Sequence, residues 1–414
     1  MMRVGLPDAT LAQSKNGLGL RPLSRRDRRL CVLMSLAVAL SMTRYAVLAI
    51  SGLPLIVIAL ASVCVMAILG SAPLHIGPCT YVLVLCAVLS ATQALSPQRA
   101  FQWLILLIVT LASVSLMSPR LLKAVIVWGS LAGGLANASL IVLEWLNLKP
   151  GALDFDPLLV HEGLSEYYLQ SAYYSAIACG VSLWLSYQSK TTARRAALVV
   201  AAAVSFSAVL IANSRGAVLF LAVFGATVLT MLTNYRKSSS QRTRRLLPLA
   251  AAVVMVCGIW LGWFSDLEQR LGESTASSLS FSDSRRVAIQ RYALSIAADH
   301  PLGIGWNGFS TLTSSHFGAS IRSAHSLFLG LALDLGVFGG AIFISLLVVP
   351  LTLLVIEKER RTDPFSVLFI GIILGVLING LVDTIQVAPA GMVMHIVLMP
   401  IGWSYVTRRR RSPV

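Results

Sequence analysis

Residues Ala324 to Ile356 read AHSLFLGLALDLGVFGGAIFISLLVVPLTLLVI, an apolar run whose single charged side chain is Asp334. A helix rises about 1.5 Å per residue and needs roughly 20 apolar residues to cross the hydrocarbon of a bilayer. This run is longer than one perpendicular crossing requires. It is therefore tilted, broken near Gly336 to Gly340, or begins outside the membrane. No alternation of apolar and polar residues competes with the helical reading, so the span is a helix and not a barrel stave.

The remainder of the chain repeats that pattern. Hydrophobic residues make up 56 % of the sequence and charged residues 12 %, which excludes a water-soluble fold of this length. Mean hydropathy is +0.78. Apolar runs are read near 30–48, 51–70, 79–95, 100–117, 122–146, 168–187, 196–212, 216–233, 247–264, 324–356, 365–383 and 389–406. The expectation is an all-α polytopic membrane protein of about twelve transmembrane helices. It divides into a cytoplasmic tail (1–29), helices 1–9 (30–264), a large outer loop containing helices (265–323), helices 10–12 (324–406) and a basic tail (407–414). No small-residue cleavage pattern follows the first span, so it is read as a retained helix. The six cysteines lie in or beside apolar spans, with no metal or disulfide spacing.

Orientation follows from the bias of Lys and Arg toward cytoplasmic loops. Placing the N-terminus inside assigns 24 of the 33 basic residues to the cytoplasm. Topology and anionic lipid then account for the net charge of +16, without a nucleic-acid partner. The cytoplasmic loops are short and carry no phosphate-binding loop motif. The long loops, near 148–167 and 265–323, face outward, and so does any chemistry.

Three elements on that face carry candidate groups. Arg215 lies in Asn213-Ser214-Arg215-Gly216, between two spans that leave almost no loop. An arginine at a helix end can simply snorkel to the interface, yet so short a turn needs no arginine and Gly216 allows close approach. Ser284-Arg285-Arg286 opens an apparent amphipathic helix that ends at Pro301. Guanidinium groups suit a diphosphate because each donates paired hydrogen bonds and stays charged. Arg286 and Arg291 point about 140° apart on a helix, so they do not serve the same phosphate. The third element runs from His300 through Gly303 and Gly305 to Gly308, and is followed by His325-Ser326. His325 is a candidate general base, or an interfacial histidine bonded to a carbonyl.

These residues together resemble the O-antigen ligase and Wzy-type polymerase superfamily. The resemblance rests on Ser214-Arg215-Gly216 entering a span, Ser284 to Leu294 leading into His300-Pro301-Leu302-Gly303-Ile304-Gly305, and His325 followed by Leu329, Asp334, Gly336 and Gly339. It covers roughly residues 200–350. The family usually has His-Asn where this chain has His325-Ser326, and Glu where it has Asp334. Serine still hydrogen-bonds and Asp334 keeps the carboxylate, so neither departure reads as a loss of activity.

The resemblance implies a GT-C-like architecture and an inverting glycosyl transfer at the periplasmic face of the bacterial inner membrane, without metal, nucleotide or other cofactor. The donor would be an undecaprenyl-diphosphate-linked glycan. The acceptor would be the lipid A core oligosaccharide in a ligase, or a second lipid-linked glycan in a polymerase. By motif, Arg215 and Arg286, with Arg285 beside it, resemble the diphosphate-binding arginines, and His325 resembles the acceptor-activating histidine. Ser214, Gly303, Gly305, Ser326 and Asp334 would support them. The helix count and the single long late loop favour ligase over polymerase. A secondary transporter or glycan flippase is the alternative of another class. It should show an internal repeat and midplane polar groups, whereas no convincing repeat is found and few charges lie within spans (Arg44, Glu144, Asp334, Asp383).

Overall fold

A computed structural model describes residues 24–42, 49–50, 53–69, 78–146, 148, 168–212, 214–235, 273–306, 308–317, 323–357, 364–381 and 389–408. The expected span at 247–264, the acidic loop near 154–166 and Asp383 lie outside them.

The described residues form thirteen helices and one two-residue β-ladder, Ala49–Ile50 against Leu53–Pro54. The helices are α1 Arg25–Ser41, α2 Leu55–Leu69, α3 Pro78–Thr92, α4 Pro97–Ser115, α5 Pro119–Trp145, α6 Tyr168–Gln188 and α7 Thr192–Ile211. After these come α8 Arg215–Tyr235, α9 Glu273–Asp299, α10 Gly308–Phe317, α11 Leu327–Ile356, α12 Pro364–Asn379 and α13 Pro389–Arg408. Four of them, α4, α5, α7 and α11, are long and apolar enough to cross a membrane, and α2, α3, α8, α12 and α13 contain shorter apolar segments.

Local chemistry sets several of the starts. Ser24 caps α1 by accepting a hydrogen bond from the Asp27 N–H at 3.1 Å, so the helix begins at Arg25. Proline opens α4 and α5, where its missing N–H costs nothing. One boundary departs from expectation: α9 begins at Glu273 and runs through Ser284 to Asp299. No glycine or proline interrupts Glu273 to Asp299, so serines readable as a helix start sit inside the helix instead.

Small residues let the helices close on one another. A Cβ added to Gly129 or Gly133 of α5 would stand 2.8 Å from Val38 or 2.6 Å from the Met42 sulfur. Beside this contact the buried Asn137 carboxamide donates to the Met42 and Gly133 carbonyls (3.1 and 2.9 Å) and accepts from the Ser171 hydroxyl (3.0 Å). The knot ties α1, α5 and α6 together without leaving the amide unmet.

The bundle has two chemically distinct ends. At one, Arg26 donates to the Ala67 carbonyl, Trp184 Nε1 donates to the Pro364 carbonyl at 3.2 Å, and the Lys123 ammonium lies 4.4 Å from the Tyr405 ring centroid. At the other end α3 and α12 finish, α4, α8 and α11 begin, and α9 and α10 pack. There a satellite core forms from Ile289, Ala293, Ala297, Ile304, Phe309, Ala324 and Leu333.

Candidate active site

The break expected near Gly336 to Gly340 falls at Gly336, whose φ of 77° and ψ of 164° interrupt α11. That backbone region is essentially reserved for glycine. In an unbroken helix the Val337 N–H would bond the Leu333 carbonyl. Here Val337 donates to the Pro301 carbonyl at 2.9 Å, and Leu333 accepts instead from the Ile304 N–H at 2.8 Å. The turn at 301–304 therefore occupies the break and satisfies both groups that it exposes.

Ser90, near the end of α3, completes this joint. Its hydroxyl donates to the Asp334 carbonyl at 2.6 Å and accepts from the Gly305 N–H at 3.1 Å. The Ile304 carbonyl accepts from the Leu95 N–H at 3.2 Å. Gly303 has φ of 89°, and a Cβ there would stand 2.6 Å from the Gly336 nitrogen, so neither glycine has room or backbone freedom for a side chain. Gly303, Gly305 and Asp334 thus meet as one backbone unit. Asp334, half-buried, enters it through its main-chain carbonyl.

The same joint fixes the segment before α11. Ala324 is buried in the satellite core, and His325 holds φ of 49°, a left-handed conformation uncommon outside glycine. The Gln290 side-chain amide of α9 donates to the His325 carbonyl at 3.0 Å. Ser326, buried, is the N-cap residue of α11, and the Leu327 N–H donates to the Gly380 carbonyl at 2.7 Å. His325 is thereby held between α9 on one side and the end of α12 on the other.

Arg286 lies one turn before Gln290 on α9, on the same face and about 40° around the axis. It is half-buried, whereas Arg291 is exposed. The separation of the two arginines expected from helical geometry holds, and Arg286 is the one that shares a face with the His325 contact. The Arg285 and Arg215 side chains lie outside the described residues.

The position of the Arg215 backbone follows from helix register. Phe224 of α8 lies over Gly371 of α12, and one turn away Phe220 lies over Gly375. Continuing this antiparallel register by one further turn sets Gly216 against Asn379 and Arg215 against Gly380. Ser214 is buried and caps the helix by accepting from the Ala217 N–H at 3.2 Å. The register thus directs the α8 start toward the end of α12, where Gly380 accepts from the Leu327 N–H.

Residues 200–344 match the family model Wzy_C, described as O-antigen ligase. The match bears out the resemblance to the O-antigen ligase and Wzy-type superfamily. No curated protein matches the chain. The Wzy_C segment runs from α7 into α11 just past the break, and contains Ser214, Arg215, Arg285, Arg286, Gly303, Gly305, His325, Ser326 and Asp334. Two of the groups that hold it lie outside its limits: Ser90 on α3 and Gly380 after α12. Sequence reasoning singled out neither Ser90 nor Gln290. Gln290 had a signal, its four-residue spacing from Arg286; Ser90 had none, being one serine within an apolar span.

Proposed function

We propose that this protein is an O-antigen ligase-type glycosyltransferase. It moves a glycan from undecaprenyl diphosphate to the lipid A core oligosaccharide at the periplasmic face of the inner membrane. The observation that carries the reading is the hydrogen bond from the Gln290 amide to the His325 main-chain carbonyl, because it joins the arginine-bearing face of α9 to the segment that carries the histidine. The Wzy_C match over residues 200–344 supports the reading, since its span includes Arg286, Gln290 and His325.

In this mechanism an acceptor hydroxyl oxygen attacks the anomeric carbon from the side opposite the diphosphate. The carbon–oxygen bond to the diphosphate breaks, its electron pair leaves with undecaprenyl diphosphate, and the configuration inverts. The hydroxyl proton passes to the His325 imidazole. Arg215, Arg286 and Arg285 hold the diphosphate and stabilise the charge that grows on it as it leaves. The outward placement of the site rests on charge bias: the end opposite His325 carries Arg26, Lys123 and the Lys190–Arg195 turn, the signature of a cytoplasmic face.

Reconstitution with an undecaprenyl-diphosphate-linked glycan and two competing acceptors, lipid A core and a second lipid-linked unit, tests the reading. Glycan on the lipid A core is the expected product. Extension of the lipid-linked unit alone would reassign the protein as a polymerase. Transport of the glycan lipid without any transfer would sink both.

A further inference from the structure

Asn379 closes α12, is 1 % exposed, and its Oδ1 has no hydrogen-bond partner among the described residues. The contrast with the equally buried Asn137 is direct, since that amide is met on both its nitrogen and its oxygen. The Asn137 amide serves packing and is satisfied there. A buried acceptor left unmet is uncommon in native interiors and points to a ligand that supplies the donor.

The place of Asn379 narrows what that ligand is. Gly371 and Gly375 seat Phe224 and Phe220 of α8, and Asn379 lies one turn beyond Gly375, about 40° around the helix. Gly380, a further 100° around, receives the Leu327 N–H at the start of α11. Asn379 is therefore set between the first residues of α8 and those of α11. Register puts Gly216, a residue without a side chain, opposite it. The α8 start bears Arg215 and presents main-chain N–H groups of the kind that bind phosphate.

An amide oxygen only accepts, so phosphate oxygens cannot satisfy it, and a polyprenyl chain offers no donor. What remains beside a diphosphate is the sugar joined to it. We propose that the Asn379 oxygen accepts a hydrogen bond from a hydroxyl or amide N–H on the sugar linked directly to the donor diphosphate, making Asn379 a sugar-reading contact. The inference rests on the proposed function and adds to it the group that distinguishes a glycan-bearing lipid from the spent carrier.

The test compares two probes on the full-length protein in nanodiscs: undecaprenyl diphosphate alone, and undecaprenyl diphosphate bearing one N-acetylhexosamine. In Asn379→Leu, affinity for the sugar-bearing lipid should fall about tenfold while affinity for the bare lipid changes by less than about twofold. Arg215→Ala should weaken both. Asn379→Ala serves if the leucine variant fails to fold, and the ratio of the two affinities is read on the folded fraction. Equal losses for both lipids, or no loss for either, would overturn the role of Asn379 while leaving the proposed function standing. Wild-type protein that binds neither lipid would overturn both.

Discussion

The Ile304 main-chain N–H donates to the Leu333 carbonyl at 2.8 Å, taking the acceptor that Val337 would use in a continuous helix. Val337 in turn bonds Pro301. The exchange makes the glycine-rich turn after α9 a structural part of α11, so the position of His325 at the head of α11 and that of Arg286 on α9 are set by one joint. Its consequences can be tested at each member.

Gly336 should not tolerate alanine. Its φ of 77° with ψ of 164° is a glycine-only conformation, and a Cβ would meet the Leu302 carbonyl carbon at 2.6 Å and the Pro301 oxygen at 2.7 Å. Backbone strain alone costs about 1–3 kcal/mol, before the clash. Gly336→Ala should lower the thermal unfolding midpoint of the purified protein and reduce transfer. A variant as stable and active as wild type would show that α11 can close its break.

Ser90→Ala removes one hydroxyl and leaves two buried main-chain groups, the Gly305 N–H and the Asp334 carbonyl, without it. The expected cost is about 1–3 kcal/mol. Ser115 is the control: its hydroxyl bonds the Ala112 carbonyl of its own helix at 2.8 Å, and losing such a local bond costs little. Equal unfolding midpoints for the two variants would mean that Ser90 does not hold the joint.

Arg286 and Arg291 should separate in function. Half-buried Arg286 shares a face with Gln290, and exposed Arg291 points about 140° from Arg286. Arg286→Ala should weaken both donor binding and turnover, and Arg291→Ala should leave both near wild type. Reconstituted transfer with titrated donor reads the difference, and equal effects would remove the facial argument.

His325→Ala should cut turnover by about 10²- to 10⁴-fold with donor affinity mostly retained, since a base acts on the proton and not on the diphosphate. Wild-type turnover should fall toward acid pH, because a protonated imidazole cannot accept a proton, and that limb should be missing from the residual activity of the variant. Parallel loss of affinity and turnover would recast His325 as a binding residue.

At Arg215, lysine should lose most transfer, because one ammonium cannot reproduce the paired donors of a guanidinium on a diphosphate. Membrane insertion should persist, as charge at the helix end is kept. Wild-type transfer by Arg215→Lys would leave the residue as an interfacial anchor.

Local pattern carried much of this protein. Apolar runs gave the spanning helices, because spans in lipid need continuous apolar length, and the described helix starts fall within a few residues of those runs except at α9 and α10, which lie in the loop between them. Serines inside that helix resemble a cap, and only the continued backbone distinguishes the two. Helical spacing also separated Arg286 from Arg291, since 100° per residue is a local property. Residue types in order along roughly 200–350 sufficed for the family resemblance. What the sequence could not hold was the partner of each polar group across the bundle. Ser90 and Asp334 stand 244 positions apart, and no periodicity links them. Leu327 meets Gly380, and Gln290 meets His325, for the same reason: a hydrogen bond depends on distance in space, which packing sets after the helices have formed. The sequence by itself determined where most of the helices lie and which family's motifs the chain resembles. Tertiary structure decided that a turn fills the break in α11, and so where His325 stands.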